Sequence, residues 1–289
     1  MEIPRLLAPD VPTETDLQAI AQILHSRAGI VLAPGKGAMV QSRLGKRLRR
    51  LGIGDYRSYL ALVTSASGED ELKAMISALT TNVTHFFREK HHFEMLRSRA
   101  LPPLIARARA GGRVRIWSAG SSNGQEAFSI AMVLAELAPD HEALDIRILA
   151  TDIDPQVIAC GQAAIYDPQL LDTVPPALRA RFFQPVPAGV QVVDSLRRLV
   201  TFRELNLHGP WPMRGQFSII FCRNVVIYFD PPAQARLWAR FEEVLEPGGW
   251  IFVGHSERIA RAESRLETAG ITTYRLPQDA GANGETEWH

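Results

Sequence analysis

The chain has 289 residues, 46% of them hydrophobic, which suffices for one or two domains with a sizeable core and excludes a disordered or fibrous protein. Lysine and arginine number 32 against 31 acidic residues, so no global charge draws the protein to nucleic acid or to a membrane, and a charge-driven partner has to meet a local patch. Cys160 and Cys222, the only cysteines, lie in neither a CxxC nor a zinc spacing, which argues against disulfides and a metal site and fits a reducing cytosol.

The first residues carry prolines and acids without an apolar run, and no 18-residue apolar window follows, so a soluble, cytoplasmic protein without membrane insertion is expected. From about 15 to 80 the period is helical: Leu17, Ile20, Ile23 and Leu24 come first, then Leu44, Leu48 and Leu51 at i, i+4, i+7. Gly29, Gly52, Gly54 and Gly68 punctuate it into roughly four helices. Residues 1–80 therefore read as a helical domain. Residues 81–112 read as a connector, with a polar turn, the Phe86-Phe87 pair and an arginine-rich helix ending at Gly111-Gly112.

Beyond that, strands and helices alternate. Strands are expected at about 114–119, 146–151, 217–222 and 250–254, and helices at 124–137, 155–164 and 231–245, the order of a parallel, doubly wound α/β sheet. The β-prone runs at 191–193 and 199–205 point to a small antiparallel insertion over about 184–206. A terminal strand is expected at 271–276, closing a domain over 113–277, with a disordered tail over 278–289.

The segment Arg115 to Glu126 is an apolar strand running into a small-residue turn and then a helix, an arrangement that brings backbone close to a nucleotide-like ligand. Ile146 to Asp152 is a second such strand, ending on a carboxylate where a ribose would lie. In Gly120-Ser-Ser-Asn-Gly124 only the ends are glycine, so the GxGxxG fingerprint fails and S-adenosylmethionine, which has no phosphates, fits better. Asp154, followed by Pro155, has the form of a helix cap, which leaves Asp152 for the ligand. Glu126 is favoured by the helix dipole and has the charge to hold a ligand ammonium. The buried strand 217–222 then exposes Arg223-Asn224 and offers Tyr228. An ordinary turn would account for the two glycines, a turn cap for Asp152, and a solvated strand end for Arg223 and Asn224.

Four segments resemble one family. Leu79 to Glu89 (LTTNVTHFFRE), Ile116 to Ala131, Ala150 to Asp154 and Phe221 to Asp230 (FCRNVVIYFD) are similar to the chemotaxis-receptor glutamate methyltransferases of the CheR type, and Gly248 to Glu257 matches a late strand of that family. The resemblance implies a Rossmann-like S-adenosylmethionine-dependent methyltransferase domain with an inserted antiparallel β-subdomain, preceded by an all-α domain. By motif match it implies cofactor contacts from Asn82, Thr84, Arg88, Glu126, Asp152, Asn206, Leu207, Arg223 and Asn224. It places Tyr228 near the transferred methyl, with Arg88 as a second catalytic candidate acting mainly as a cofactor clamp. It also implies the product S-adenosylhomocysteine, and glutamates on the cytoplasmic helices of methyl-accepting receptors as substrate.

The family's turn Ser-Thr-Gly-Glu-Glu-Pro-Tyr-Ser appears here as Ser122 to Ser129, with Gln125, Ala127 and Phe128 in place of Glu, Pro and Tyr. A solvated Gln125 would change cofactor affinity only modestly. The segment between Phe183 and Leu199 is short for the family. The basic run Arg43 to Arg50 carries Arg43, Lys46, Arg47 and Arg50, and given the family it is expected to dock an acidic receptor helix rather than nucleic acid. His91 and His92 point about 100° apart if helical, with no accompanying acid or cysteine cluster in sequence, so no metal is expected. The alternative from another class is a non-catalytic module that binds S-adenosylmethionine.

Overall fold

A computed structural model describes residues 10–260 and 264–278. The chain forms two units, one running through Thr81 and including Tyr228–Asp230, the other holding Asn82–Ile227 and the residues from Pro231 onward.

The first unit contains the four expected helices: α1 (Glu14–Ala28), α2 (Gly37–Leu51), α3 (Tyr56–Thr64) and α4 (Glu69–Leu79). Thr13 and Asp16 form a reciprocal capping box at the start of α1, and Asp55 caps α3 by accepting from the Ser58 amide at 2.7 Å. Gly29 and Gly52 end α1 and α2 at φ of 71° and 69°, values that cost glycine little. Gly68 serves differently: it precedes α4, and a Cβ there would lie 1.9 Å from the Leu62 carbonyl oxygen. Ile20, Leu24, Val40, Leu44, Leu48, Tyr59 and Met75 fill the core of this unit.

In the second unit, α5 (Lys90–Met95), a π turn over Leu96–Ala100 and α6 (Leu101–Arg109) follow one another and lead into β1 (Val114–Ala119). Then come α7 (Gln125–Leu137), β2 (Ile146–Asp152), α8 (Pro155–Ala163), β3 (Ile165–Tyr166), α9 (Pro176–Phe182), β4 (Phe183–Val186), β5 (Gly189–Val192), α10 (Asp194–Arg197) and β6 (Val200–Glu204). The chain closes with β7 (Phe217–Cys222), α11 (Pro231–Val244), β8 (Leu245–Val253), β9 (Glu267–Gly270) and β10 (Thr273–Arg275). The seven-stranded sheet has the order β6-β2-β1-β7-β8-β10-β9. Its first five strands run parallel, and β10 pairs antiparallel with β8 and β9.

β1 and β7 are buried almost throughout and α7 is buried from Gln125 to Ala135, as a doubly covered parallel sheet requires. Trp117, fully buried on β1, donates its indole N–H to Thr151 Oγ1 at 2.9 Å and meets Trp211 and Phe241 edge-on.

Three expectations are corrected. The antiparallel insertion does not span 184–206: the three-stranded sheet β3-β5-β4 does hold 189–192, but β6 pairs in parallel with β2 at the edge of the main sheet. An alternating buried and exposed run suits an edge strand of either direction, so the pattern of Val200 to Glu204 could not decide. Strand β8 begins at Leu245 rather than 250: Leu245 pairs with Phe217, and after an irregularity that includes Gly248, at φ of 77°, the ladder resumes with Trp250 opposite Ile219. The terminal strand expected at 271–276 is the second arm, β10, of a hairpin whose first arm is β9, a strand not expected from the sequence. From 279 on, the expected tail lies outside the described residues.

Candidate cofactor site

The carboxyl ends of β1, β2, β6 and β7 lie along one edge of the sheet, and the order reverses between β1 and β7, where an open α/β sheet forms its ligand crevice. After Ala119 the chain turns through Gly120, Ser122 and Gly124 at φ of 76°, 50° and 90°. A Cβ on Gly120 would lie 2.3 Å from Val225 Cγ2, so the turn admits no side chain there. The amides of Gly120 and Ser121 both donate to the Thr151 carbonyl at 2.8 Å, binding the turn to the end of β2.

Asp152, expected to be free for a ribose, already braces this turn. Its Oδ2 accepts from the Ser122 amide at 2.8 Å and its Oδ1 from the Asp154 amide at 3.0 Å, which leaves each oxygen further acceptor capacity. Burial raises its carboxyl pKa. Asp154 caps α8 as expected, accepting from the Gln156 amide at 2.9 Å, and its other oxygen accepts from Asn82 Nδ2 at 2.7 Å. The Asn82 carbonyl in turn accepts from Ser122 Oγ at 2.8 Å. The Leu205 amide donates to the Asp152 carbonyl at 2.9 Å, which brings half-buried Asn206 and buried Leu207 beside the end of β2. Asn206 Oδ1 accepts from the His208 amide at 2.9 Å.

A second cluster gathers around Arg223, at the end of β7. Its Nη1 donates to Glu126 Oε2 at 3.0 Å, and its Nη2 donates to the Arg88 carbonyl and lies 3.4 Å from Glu89 Oε2. Glu126 Oε1 accepts from Ser118 Oγ at 2.7 Å. Burial raises the Glu126 carboxyl pKa despite the adjacent guanidinium. Burial would also raise the Glu89 carboxyl, but Arg223 and then the His255 amide hold it below its ordinary value. Glu126 therefore already meets an arginine of the chain itself, and each of its oxygens keeps further acceptor capacity. Arg88 donates from Nη1 to the Val83 carbonyl at 3.1 Å, and Thr84 is half-buried in the same loop.

Glu257 is the main residue that the sequence reading left without a role. Buried after β8, its carboxylate accepts from the amides of Asn224, Val225 and Val226 at 2.9, 2.9 and 2.7 Å and also from Gly254. It fixes the bend in which Asn224 takes φ of 60°. Its only signal in the sequence was its place in the run Gly248 to Glu257.

Several buried polar atoms at this edge have no hydrogen-bond partner among the described residues: Ser121 Oγ, Asn123 Oδ1, both amide atoms of Gln125, and Arg223 Nε. Gln125 is fully buried, contrary to the solvated position assumed for it, so its exchange for a glutamate changes an interior group. Unpaired polar atoms in an interior cost free energy unless a ligand meets them, and uncharged donors and acceptors beside two carboxylates suit an adenosyl and amino-acid ligand better than a pyrophosphate. The residues fit S-adenosylmethionine.

Contrary to the sequence reading, His91 and His92 do have an acid beside them: with Glu89 they present ligand-type atoms within 4.8 Å of one another. The nearby Arg223 guanidinium already supplies a cation to Glu89. His92 is fully buried with Nε2 2.8 Å from Thr272 Oγ1, and burial, then Arg223, push its pKa down to about 3.

In the helical unit the basic run divides. Arg43 donates to the Ala78 and Thr80 carbonyls, and Arg47 makes a two-pronged pair with Glu71 at 2.6 Å to each oxygen, with the Tyr59 hydroxyl donating to the same carboxylate at 2.7 Å. Those two arginines join α2 to α4. Lys46 and Arg50 are exposed, together with Arg49, which had not been singled out. Tyr228, half-buried, falls within this unit.

Two family models match the chain: "CheR methyltransferase, all-alpha domain" over residues 15–80 and "CheR methyltransferase, SAM binding domain" over 82–275. A probable chemotaxis protein methyltransferase of Rhizobium etli is 50% identical, the match covering 88% of this chain and 96% of that one. Chemotaxis protein methyltransferase 2 of Pseudomonas aeruginosa is 40% identical over 91% and 93% of the two chains, and the chemotaxis protein methyltransferase of Escherichia coli is 39% identical over 92% of each. The braced turn, the acids at the end of β2 and the start of α7 and the Arg223 cluster all fall within the matched span, and the chain belongs to the CheR family of methyltransferases.

Proposed function

We propose that this methyltransferase esterifies glutamate side chains on the cytoplasmic helices of chemotaxis receptors, working in the cytoplasm as part of sensory adaptation. The observation that carries the cofactor half of this reading is the group of unpartnered polar atoms at Ser121, Asn123 and Gln125 between Asp152 and Glu126. The substrate half rests on the chemotaxis relatives. Among the described residues no helix is long and apolar enough to cross a membrane.

S-adenosylmethionine supplies an electrophilic sulfonium methyl when bound. A receptor glutamate, with an ordinary pKa of about 4.3, is ionised at neutral pH and needs no general base. Catalysis is then mainly orientation, which can lower a barrier by several kcal/mol. Asp152, with Asn82, Thr84, Asn206 and Leu207 around it, would orient the adenosyl part. Glu126, held by Ser118 and Arg223, would face the amino-acid part, with Arg88 and Asn224 flanking it. Tyr228 would orient the reacting carboxylate with a neutral hydroxyl, where a cation would weaken the nucleophile. Exposed Lys46, Arg49 and Arg50 would draw in an acidic receptor helix.

Incubation with methyl-labelled cofactor and a receptor cytoplasmic fragment should yield base-labile methyl ester that releases labelled methanol, and the rate should fall steeply with salt. Cofactor binding with no label on any fragment tried would leave a non-catalytic binding module instead. Tyr228→Phe should lower turnover more than cofactor binding, and unchanged turnover would remove Tyr228 from the mechanism.

A further inference from the structure

Tyr228, Phe229 and Asp230 interrupt the sequence of the sheet unit, yet they pack as part of the helical unit. Three ties hold them there. The Val31 amide donates to the Tyr228 carbonyl at 2.8 Å, Ile30 and Phe229 form an antiparallel bridge, and His25 Nε2 lies 2.7 Å from Asp230 Oδ2. All three partners come from the last turn of α1 and the residues just beyond it. That helix end is rigid for stated reasons: Leu24 and Ala28 are buried, the Gly29 amide returns to the His25 carbonyl at 2.9 Å, and the Ile30 amide returns to the Leu24 carbonyl at 3.3 Å. The sharp exit at Gly29, φ of 71°, leaves the Ile30 and Val31 backbone presented to the tripeptide.

The residues just upstream are fixed by a different device, the Glu257 carboxylate on the amides of 224–226. In sequence, Tyr228 follows one anchored segment and opens another. A side chain whose backbone is held on both sides loses little entropy when it orients a substrate.

We propose that the end of α1, from His25 to Val31, is the positioning element for Tyr228. This rests on the reading of Tyr228 given above. The His25–Asp230 contact is half exposed, so its loss should leave the melting temperature nearly unchanged and act on geometry instead.

The test compares kcat, receptor KM and cofactor Kd for His25→Ala, His25→Gln, Asp230→Asn, Val31→Pro and Tyr228→Phe, and for each α1 or Asp230 variant combined with Tyr228→Phe. We expect His25→Ala and Asp230→Asn to lower kcat about 3-fold and Val31→Pro about 10-fold, as for a small misplacement of an orienting group, with KM and Kd unchanged. His25→Gln, which keeps a donor, should restore most of the loss. In the Tyr228→Phe background the same changes should have no further effect, because residues acting through one group are non-additive. Wild-type kcat in all the α1 and Asp230 variants, alongside a slow Tyr228→Phe enzyme, would overturn the proposal alone. Losses that add in the double variants would overturn it as well, by showing that α1 acts elsewhere. Wild-type kcat in Tyr228→Phe would sink the earlier reading and this one with it. If Val31→Pro fails to fold by circular dichroism, Asp230→Asn and His25→Ala decide.

Discussion

Glu257→Gln exchanges one carboxylate oxygen for an amide nitrogen with almost no change of shape. In the native protein Oε1 accepts from the amides of Val225 and Val226, and Oε2 from those of Asn224 and Gly254. Whichever way the glutamine amide turns, its NH2 faces two backbone N–H groups, so two charge-assisted hydrogen bonds become donor–donor contacts. Such a bond contributes roughly 1.5–3 kcal/mol, and partial relaxation of the bend brings the expected total to about 3 kcal/mol. The bend has little room to relax: a Cβ on Gly254 would lie 2.8 Å from the Asn224 backbone nitrogen, so the two backbones already pass close to one another. For a protein of this size, scanning calorimetry should show a melting temperature lower by about 6–12 °C. Titration calorimetry should show weaker S-adenosylmethionine binding, since the bend carries Arg223 and Arg223 orients Glu126. A melting temperature within a degree of wild type, with unchanged cofactor affinity, would refute the claim that this carboxylate holds the bend.

Arg47→Ala strips a partner from a largely buried Glu71 and should destabilise the helical unit by about 1–3 kcal/mol in urea titrations, whereas Lys46→Glu with Arg50→Glu should leave stability alone and raise the receptor KM. His92, held neutral in the fold with its pKa near 3, cannot take the proton that an unfolded histidine takes below about pH 6.5. Its contribution to stability is complete above that pH and is lost as pH falls toward 3, about 2 kcal/mol by pH 5, so His92→Asn should flatten the stability profile between pH 8 and 5 by that amount. Gly120→Ala forces a Cβ against Val225 at positive φ and should cost at least about 2 kcal/mol and most cofactor binding, measured by the same two calorimetric methods.

The sequence was most informative where one physical period ruled. The four helices of the first unit follow from apolar spacing and glycine punctuation, and α7, β1, β2 and β7 stand within a residue or so of their expected bounds. It was ambiguous where one pattern serves two structures: Val200 to Glu204 alternates as an antiparallel arm would, yet pairs in parallel, and Gly248-Gly249 looks like a break but lies inside a strand. At the site, residue types were legible and pairings were not. Asp152 and Glu126 stood out as acids at strand and helix ends, but that Ser122 and Arg223 would occupy them depends on contacts 30 and 97 residues apart. Arg47 illustrates the same limit: its helical spacing with Arg43 and Arg50 described a face, and only packing against Glu71 on α4 showed that this part of the face is interior.

β6 lies at one margin of the main sheet, and among the described residues no strand pairs with its outer side. An open margin of this kind is a template for the strand of a second molecule, and most proteins must guard it. Here Thr201, Arg203 and Glu204 are exposed along it, and Arg197 and Arg198 sit just upstream in α10 and the turn that follows. Two copies meeting at that margin would bring arginines together and bury charge. The same residues that disguised the direction of β6 in the sequence thus set a charge penalty against pairing along this margin.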